Sequence, residues 1–197
     1  RDYYASRGLG DVYKRQGTDT IAAWGICDKL DMLIWLLADA MGPALTTYTA
    51  QNMGAGRWDR VCKGNRIGAA MSVAAVGTVS LGLYFLTAPL GDLFVPVQDA
   101  AAVVPQAVAF MRRMAPFFLF YALAESFSGA CCGTGDTVRP MILTLLSICL
   151  LRVLGILLVL PRQHTMECII DIYISSWIAA GIGFLILWQW EKNKVQK

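Results

Sequence analysis

The chain has 197 residues, of which 56% are hydrophobic and 16% charged, and its formal net charge is +3. A soluble globular chain has about a quarter of its residues charged, so lipid is the expected solvent. The small positive charge sits in short connections and calls for no nucleic-acid partner.

Arg1 to Gln16 is polar, contains Tyr and Arg, and lacks the roughly 7–15-residue apolar centre of a signal peptide. It reads as a truncation or sequence-assembly scar, leaving residues 17–197 as the body of the fold. Five continuously apolar spans follow, at about 20–50, 67–88, 114–135, 140–160 and 172–190. Continuous runs near the roughly 20 residues needed to cross a bilayer indicate helices, because membrane strands alternate over about 10 residues. The expected class is therefore an all-α integral membrane protein with five transmembrane helices. Cys27, Cys131, Cys132 and Cys149 fall inside these spans, where a free cysteine behaves as a small apolar residue.

The first span contains Asp28, Lys29, Asp31 and Asp39. At 100° per residue Asp28 and Asp39 lie about 20° apart and Asp31 about 60° to the other side, so the three acids are expected on one face. Asp28 and Lys29 are expected near the outer end in water. Asp31 and Asp39 lie within about 6 Å of the level of Trp35 and are expected to line an aqueous path. Pro43 should kink or loosen this helix.

The connection from Gly56 to Arg66 has four bases against one acid and is expected to be cytoplasmic. Asp92 and Asp99 mark the next connection as outer. Residues 98–113 are too polar to span and read as a short helix lying at the outer interface. In the third span Glu125 follows an aromatic, apolar run, and Gly129 and Gly133 form a small-xxx-small pair that permits close helix approach. Arg139 marks the following turn as cytoplasmic. Arg152 interrupts the fourth span at a depth within about 3 Å of Glu125, so the two are expected to face one another. They would do so as a structural pair, or with Arg152 limiting the desolvation of a working carboxylate. Arg112, Arg113 and Arg162 are the bases out of place on the outer side, and His164 in the last outer connection carries no expected role. Trp188 and Trp190, followed by Glu191, Lys192, Lys194 and Lys197, read as an interfacial anchor and a cytoplasmic tail.

Two stretches carry a resemblance. The first runs from Ala44 through Gln51-Asn52-Met53-Gly54-Ala55-Gly56 to Arg60, and the second is Gly133-Thr134-Gly135-Asp136-Thr137-Val138-Arg139-Pro140-Met141. At this separation they resemble signatures of the MATE (multidrug and toxic compound extrusion) family, over about Thr18 to Trp190. The resemblance implies that the five spans correspond to the family's eighth to twelfth helices. They would then form one six-helix bundle lacking its first helix, with an N-terminal half of the transporter absent as partner. Many members have Arg where this chain has Cys132, and the acid that many place on the tenth helix falls near Tyr121, one turn before Glu125.

The implied function is export of cationic or amphipathic small molecules across the plasma membrane in exchange for Na+ or H+. No other cofactor is implied, and lipid is the surrounding partner. Asp31, Asp39, Tyr121, Glu125 and Arg152 would form the coupling site and cavity. Gln51, Asn52, Gly54, Gly56, Gly133, Gly135, Asp136, Thr137 and Pro140 would form the family turns. A lipid-linked oligosaccharide flippase would need a cationic cavity, and here intramembrane acids outnumber bases. A membrane enzyme would need clustered metal ligands or a phosphate loop, and the chain offers one His. These readings, with that of a structural subunit, are the alternatives.

Overall fold

The computed structural model describes the backbone of residues 2–159 and 165–195 and the side chains of residues 17–159 and 165–194. Arg162 and His164 lie outside the described residues. All regular structure among the described residues is helical. α1 (Asp2–Gly54) and α2 (Trp58–Gly91) form the first hairpin, and α3 (Val97–Met114) passes through a 3-10 turn at Ala115–Phe117 into α4 (Phe118–Gly133). The chain then runs through α5 (Val138–Thr144), a π-helical turn at Leu145–Leu150 and α6 (Leu151–Leu158), and ends in α7 (Met166–Val195).

Four rods among the described residues are long and apolar enough to cross a membrane: Trp58–Gly91, Val97–Gly133, Val138–Leu158 and Met166–Lys194. α1 makes the fifth. Its 53 residues extend about 80 Å, beyond both ends of the predicted 20–50 span, and its acids and threonines make it more polar than the other four.

Two predicted connections differ from the structure. The basic segment before residue 67 is mostly helix, because α2 starts at Trp58. Its bases Arg60, Lys63 and Arg66 are exposed while Val61 and Asn65 are buried, and Asn65 exchanges hydrogen bonds with Thr49 of α1 at 3.0 and 3.1 Å. Such an amphipathic pattern favours a helix packed on α1 over an open loop.

Residues 98–113 do form a helix, but α3 does not lie flat at the interface. Gly91 packs against Val104, the Tyr84 carbonyl meets Arg112, and Ser80 donates to the Ala115 carbonyl at 2.6 Å. That register runs α3 antiparallel along α2. Its buried face of Val103, Ala107, Phe110, Met111 and Met114 finds apolar partners in α1 and α2 that a headgroup layer would not supply.

α4 is the hub, packed by α1, α2 and α7. The two glycines of the small-xxx-small pair are the reason α1 comes so close. A side chain at Gly129 would run into the Gly42 backbone carbonyl, and one at Gly133 would meet the Thr46 carbonyl at 2.6 Å. The approach is closed by Thr46 Oγ1, which donates to the Gly129 carbonyl at 2.9 Å, the kind of interhelical bond that small residues make possible in lipid. On the opposite side of α4, Gly181 of α7 lies against the Phe120 carbonyl.

Two apolar clusters fill the bundle. The one toward the α2–α3 connection gathers Ile34, Met111, Phe118, Tyr121 and Trp177, and the one toward the α1–α2 turn Val61, Ala124, Phe127, Phe184 and Trp188. Trp188, expected as an interfacial anchor, is 6% exposed and packs 6.0 Å from Trp58 and 6.2 Å from Phe127. Only Trp190 stays at the surface, with Arg139 4.1 Å and Lys194 5.4 Å above its ring. The contacts of Trp58 with Trp188 and of Arg139 with Glu191 bring the basic start of α2, the α4–α5 turn and the end of α7 to one end of the bundle.

The α1–α4 contact generates a prediction. Gly129→Val should lower stability by about 1–3 kcal/mol, the usual range for overpacking, because the obstacle is backbone and cannot swing aside. Gly25→Ala, at a position with no neighbour within 4 Å, should be neutral. Thermal unfolding of both variants in detergent reads the difference, and equal melting temperatures would contradict the packing.

Candidate functional site

Asp39 and Glu125 come together where α1 meets α4, between the two apolar clusters. Tyr121 Oη donates to Asp39 Oδ1 at 2.6 Å, and the Tyr121 ring is held 4.8 Å from that of Trp35. One turn further along α1, Gly42 leaves room for Glu125, whose Oε2 lies 3.6 Å from the point where a Cβ on Gly42 would sit. Asp39 is exposed, Glu125 half-buried and Tyr121 buried, so the cluster opens on the uncovered side of α1.

Pro43 adds a further oxygen to this patch. α1 continues through it, yet proline has no N–H to give the carbonyl four residues back, which is that of Asp39. Two carboxylates and a phenol thus share one level of the bundle with a carbonyl that lacks its usual i+4 donor, an all-oxygen set of the kind that suits hard cations.

Asp31 goes elsewhere. It lies about 80° from Asp39 around α1, enough to turn it from the open face into the bundle, where it is 6% exposed. Among the described residues its Oδ1 has no hydrogen-bond partner. Its depth also differs from expectation. Lys29 Nζ sits 5.1 Å over the ring of Phe94 in the α2–α3 connection, and Asp31 is only about 3 Å further along α1, so it belongs to the part of the bundle nearer that connection. Asp28 and Lys29 are exposed at that end.

Arg152 does not face Glu125. Its Nε donates to Ser176 Oγ at 2.9 Å, and its guanidinium lies 4.1 Å from the centre of the Tyr173 ring, both on α7. The aromatic pairs Phe118 with Trp177 and Phe127 with Trp188 set Glu125 about 15 Å further along the axis than Ser176. Counting from predicted span ends equalised two depths that are unequal. The π-helical turn before Arg152, with one extra residue per turn, also turns its face away from where a straight α-helix would present it.

The two family-type turns are built by glycines with positive φ. Gly56 (φ 68°) lets the chain leave α1 with Ala55 N–H donating to the Gln51 carbonyl and Arg57 N–H to that of Asn52. Gly54 is the last residue of α1. Gly135 (φ 94°) does the same after α4, with its N–H on the Cys132 carbonyl. Both conformations are costly for any residue with a Cβ.

Asp136 then accepts from the backbone N–H of Arg139 at 3.2 Å and from its guanidinium at 2.8 Å, while the same guanidinium reaches Glu191 at 3.0 Å. Partial desolvation pushes the Asp136 carboxyl up, but the Arg139 contacts outweigh it and hold the group below the usual aspartate range. Thr137 precedes α5, and Pro140 is buried in its first turn.

Sequence reasoning named Asp39, Tyr121 and Glu125 but missed Gly42 and Trp35, which seat Glu125 and Tyr121. The available signal was the spacing Asp39-x-x-Gly42-Pro43, a small residue and a helix breaker one turn past an intramembrane acid.

The chain matches the MatE family model over residues 12–158. It is also similar to a protein described as "Probable multidrug resistance protein YoeA" from Bacillus subtilis (strain 168), with 19% identity over 186 residues. That similarity covers 92% of this chain and 39% of the relative, so the chain spans well under half of the relative's length. With the family model covering most of the described bundle, including the Asp39, Tyr121 and Glu125 cluster, the chain belongs to the MatE family of membrane transporters.

Proposed function

We propose that this chain is part of a secondary active multidrug antiporter of the plasma membrane, which exports cationic or amphipathic compounds in exchange for Na+ or H+. The observation that carries the reading is the Asp39–Tyr121–Glu125 cluster. Two carboxylates at such depth are costly to keep ionised without a cation beside them. A coupling ion and a cationic cargo therefore compete for one negative site, and competition of this kind is what links the two fluxes. The Tyr121 hydroxyl fixes Asp39 in one orientation, so that ion and cargo meet a preformed acceptor. The uncovered side of α1 faces the remainder of a longer transporter, whose second bundle closes the cavity.

The basic end of the bundle, with Arg57, Arg60, Lys63, Arg66 and Arg139, belongs on the cytoplasmic side together with the carboxy terminus.

Two experiments test this reading in the full-length transporter that contains the segment. Asp39→Asn and Glu125→Gln should reach the membrane at normal abundance yet lose ion-driven export by about 5- to 150-fold, the span of a typical coupling free energy. Tyr121→Phe should lose less. Normal export of a fluorescent cation by both carboxamide variants contradicts the coupling site.

For orientation, single cysteines at positions 57 and 193 should resist a membrane-impermeant thiol reagent added to intact cells and react after permeabilisation. Reaction in intact cells inverts the topology.

A further inference from the structure

Arg112 and Arg113 lie in the last turn of α3, beside Tyr84 and so about 10 Å short of the Gly91 end of α2. Arg113 is offset by acids of α7, reaching Asp171 at 2.7 Å and Glu167 at 3.4 Å. Arg112 is not. It is exposed, and among the described residues no ion pair includes it. Its guanidinium instead lies 5.3 Å from the Tyr84 ring centre, with Nε 3.4 Å from the Tyr84 carbonyl.

Tyr84 is also the rim of a groove of about 320 Å³ between α2 and the α3–α4 junction, walled by Gly77, Leu81, Phe85, Pro116 and Leu119. Along α2 the groove runs from Tyr84 to Gly77, about 10 Å, within a membrane-spanning helix. Of the two hydroxyl-bearing residues that line it, Ser80 and Tyr84, Ser80 donates to the Ala115 carbonyl at 2.6 Å. Gly77 keeps the groove open, because a Cβ there would come within 3.3 Å of Leu119. Leu81 and Phe85 are 61% and 64% exposed, so the wall is open to lipid.

We infer that this groove and Arg112 together form a binding site for an anionic phospholipid, with an acyl chain lying in the groove and the phosphate on the Arg112 guanidinium. The two halves of the site match the two halves of that ligand. A predominantly apolar slot, parallel to the spanning helices, accepts a hydrocarbon chain, and the exposed Arg112 at its mouth accepts an anionic headgroup. Arginine suits the role because its planar fork bonds phosphate oxygens bidentately, and basic pockets between spanning helices hold anionic headgroups by the same chemistry. The site is on the opposite side of α2's length from the basic end, and only its assignment to the outer leaflet rests on the orientation proposed above.

The full chain, purified in detergent and analysed by native mass spectrometry, should retain phosphatidylglycerol over phosphatidylcholine of the same acyl length by about five-fold, the effect of one cation at a membrane surface. Arg112→Gln should abolish the preference while leaving total lipid retention and melting temperature unchanged. Leu81→Trp, which fills the groove from its exposed wall, should displace both lipids. Equal retention of the two lipids by the unaltered chain overturns the proposal, as does a preference that survives Arg112→Gln. Efficient cross-linking between two copies through cysteine at position 81, insensitive to added lipid, overturns it in favour of a dimer contact.

Discussion

The contact of Gly129 and Gly133 with the backbone of α1 sets the geometry of everything around it. In lipid there is no hydrophobic force between helices, and association rests on van der Waals fit and interhelical hydrogen bonds. Two glycines one turn apart on α4 let the α1 backbone approach until Thr46 can bond the Gly129 carbonyl. At that distance the side chains a turn or two further out must meet, and those are Asp39, Tyr121 and Glu125. The Asp39–Tyr121–Glu125 cluster is thus a consequence of helix packing: α4 contributes the phenol and one carboxylate, α1 the other carboxylate and the gap at Gly42.

The acids of α1 illustrate how small an angular difference decides a residue's role. Asp39 and Asp31 are separated by about 80° around the same helix. One lies on the open side and bonds Tyr121, while the other enters the bundle with an oxygen that has no partner among the described residues. A buried, unpartnered carboxylate oxygen is expensive in an apolar interior, and its surroundings are those of the cluster around Ile34 and Trp177, away from the Glu125 level. At Tyr121, near which the family resemblance would place an acid on the same helix, the phenol donates to Asp39 of α1 at 2.6 Å.

Much of the fold was legible because membrane spans announce themselves by composition, and the two turns by glycines that need positive φ. Span existence and order needed only local information. What was not legible depended on relations between helices. Glu125 and Arg152 were paired by counting residues from span ends, and that count missed where α4 really stops relative to α7 and the π-helical turn that rotates Arg152 toward Tyr173 and Ser176. Trp188 looked like an anchor from its neighbours Trp190 and Lys192, yet the cluster around Val61 and Phe184 has a space for it between Trp58 and Phe127. The interface helix at 98–113 was correct in extent and wrong in attitude, since amphipathicity alone does not distinguish a headgroup layer from a neighbouring helix.

If α1 and α4 build one site through Asp39 and Tyr121, a double-mutant cycle on cation binding will show the two residues to be coupled. The binding constant of the coupling cation would be measured for the unaltered protein, Asp39→Asn, Tyr121→Phe and the double variant. A shared site predicts strong non-additivity, with the Tyr121→Phe change having little further effect once Asp39 is neutral. Additive losses would mean that the two residues act independently and that α1 and α4 do not share a cation site.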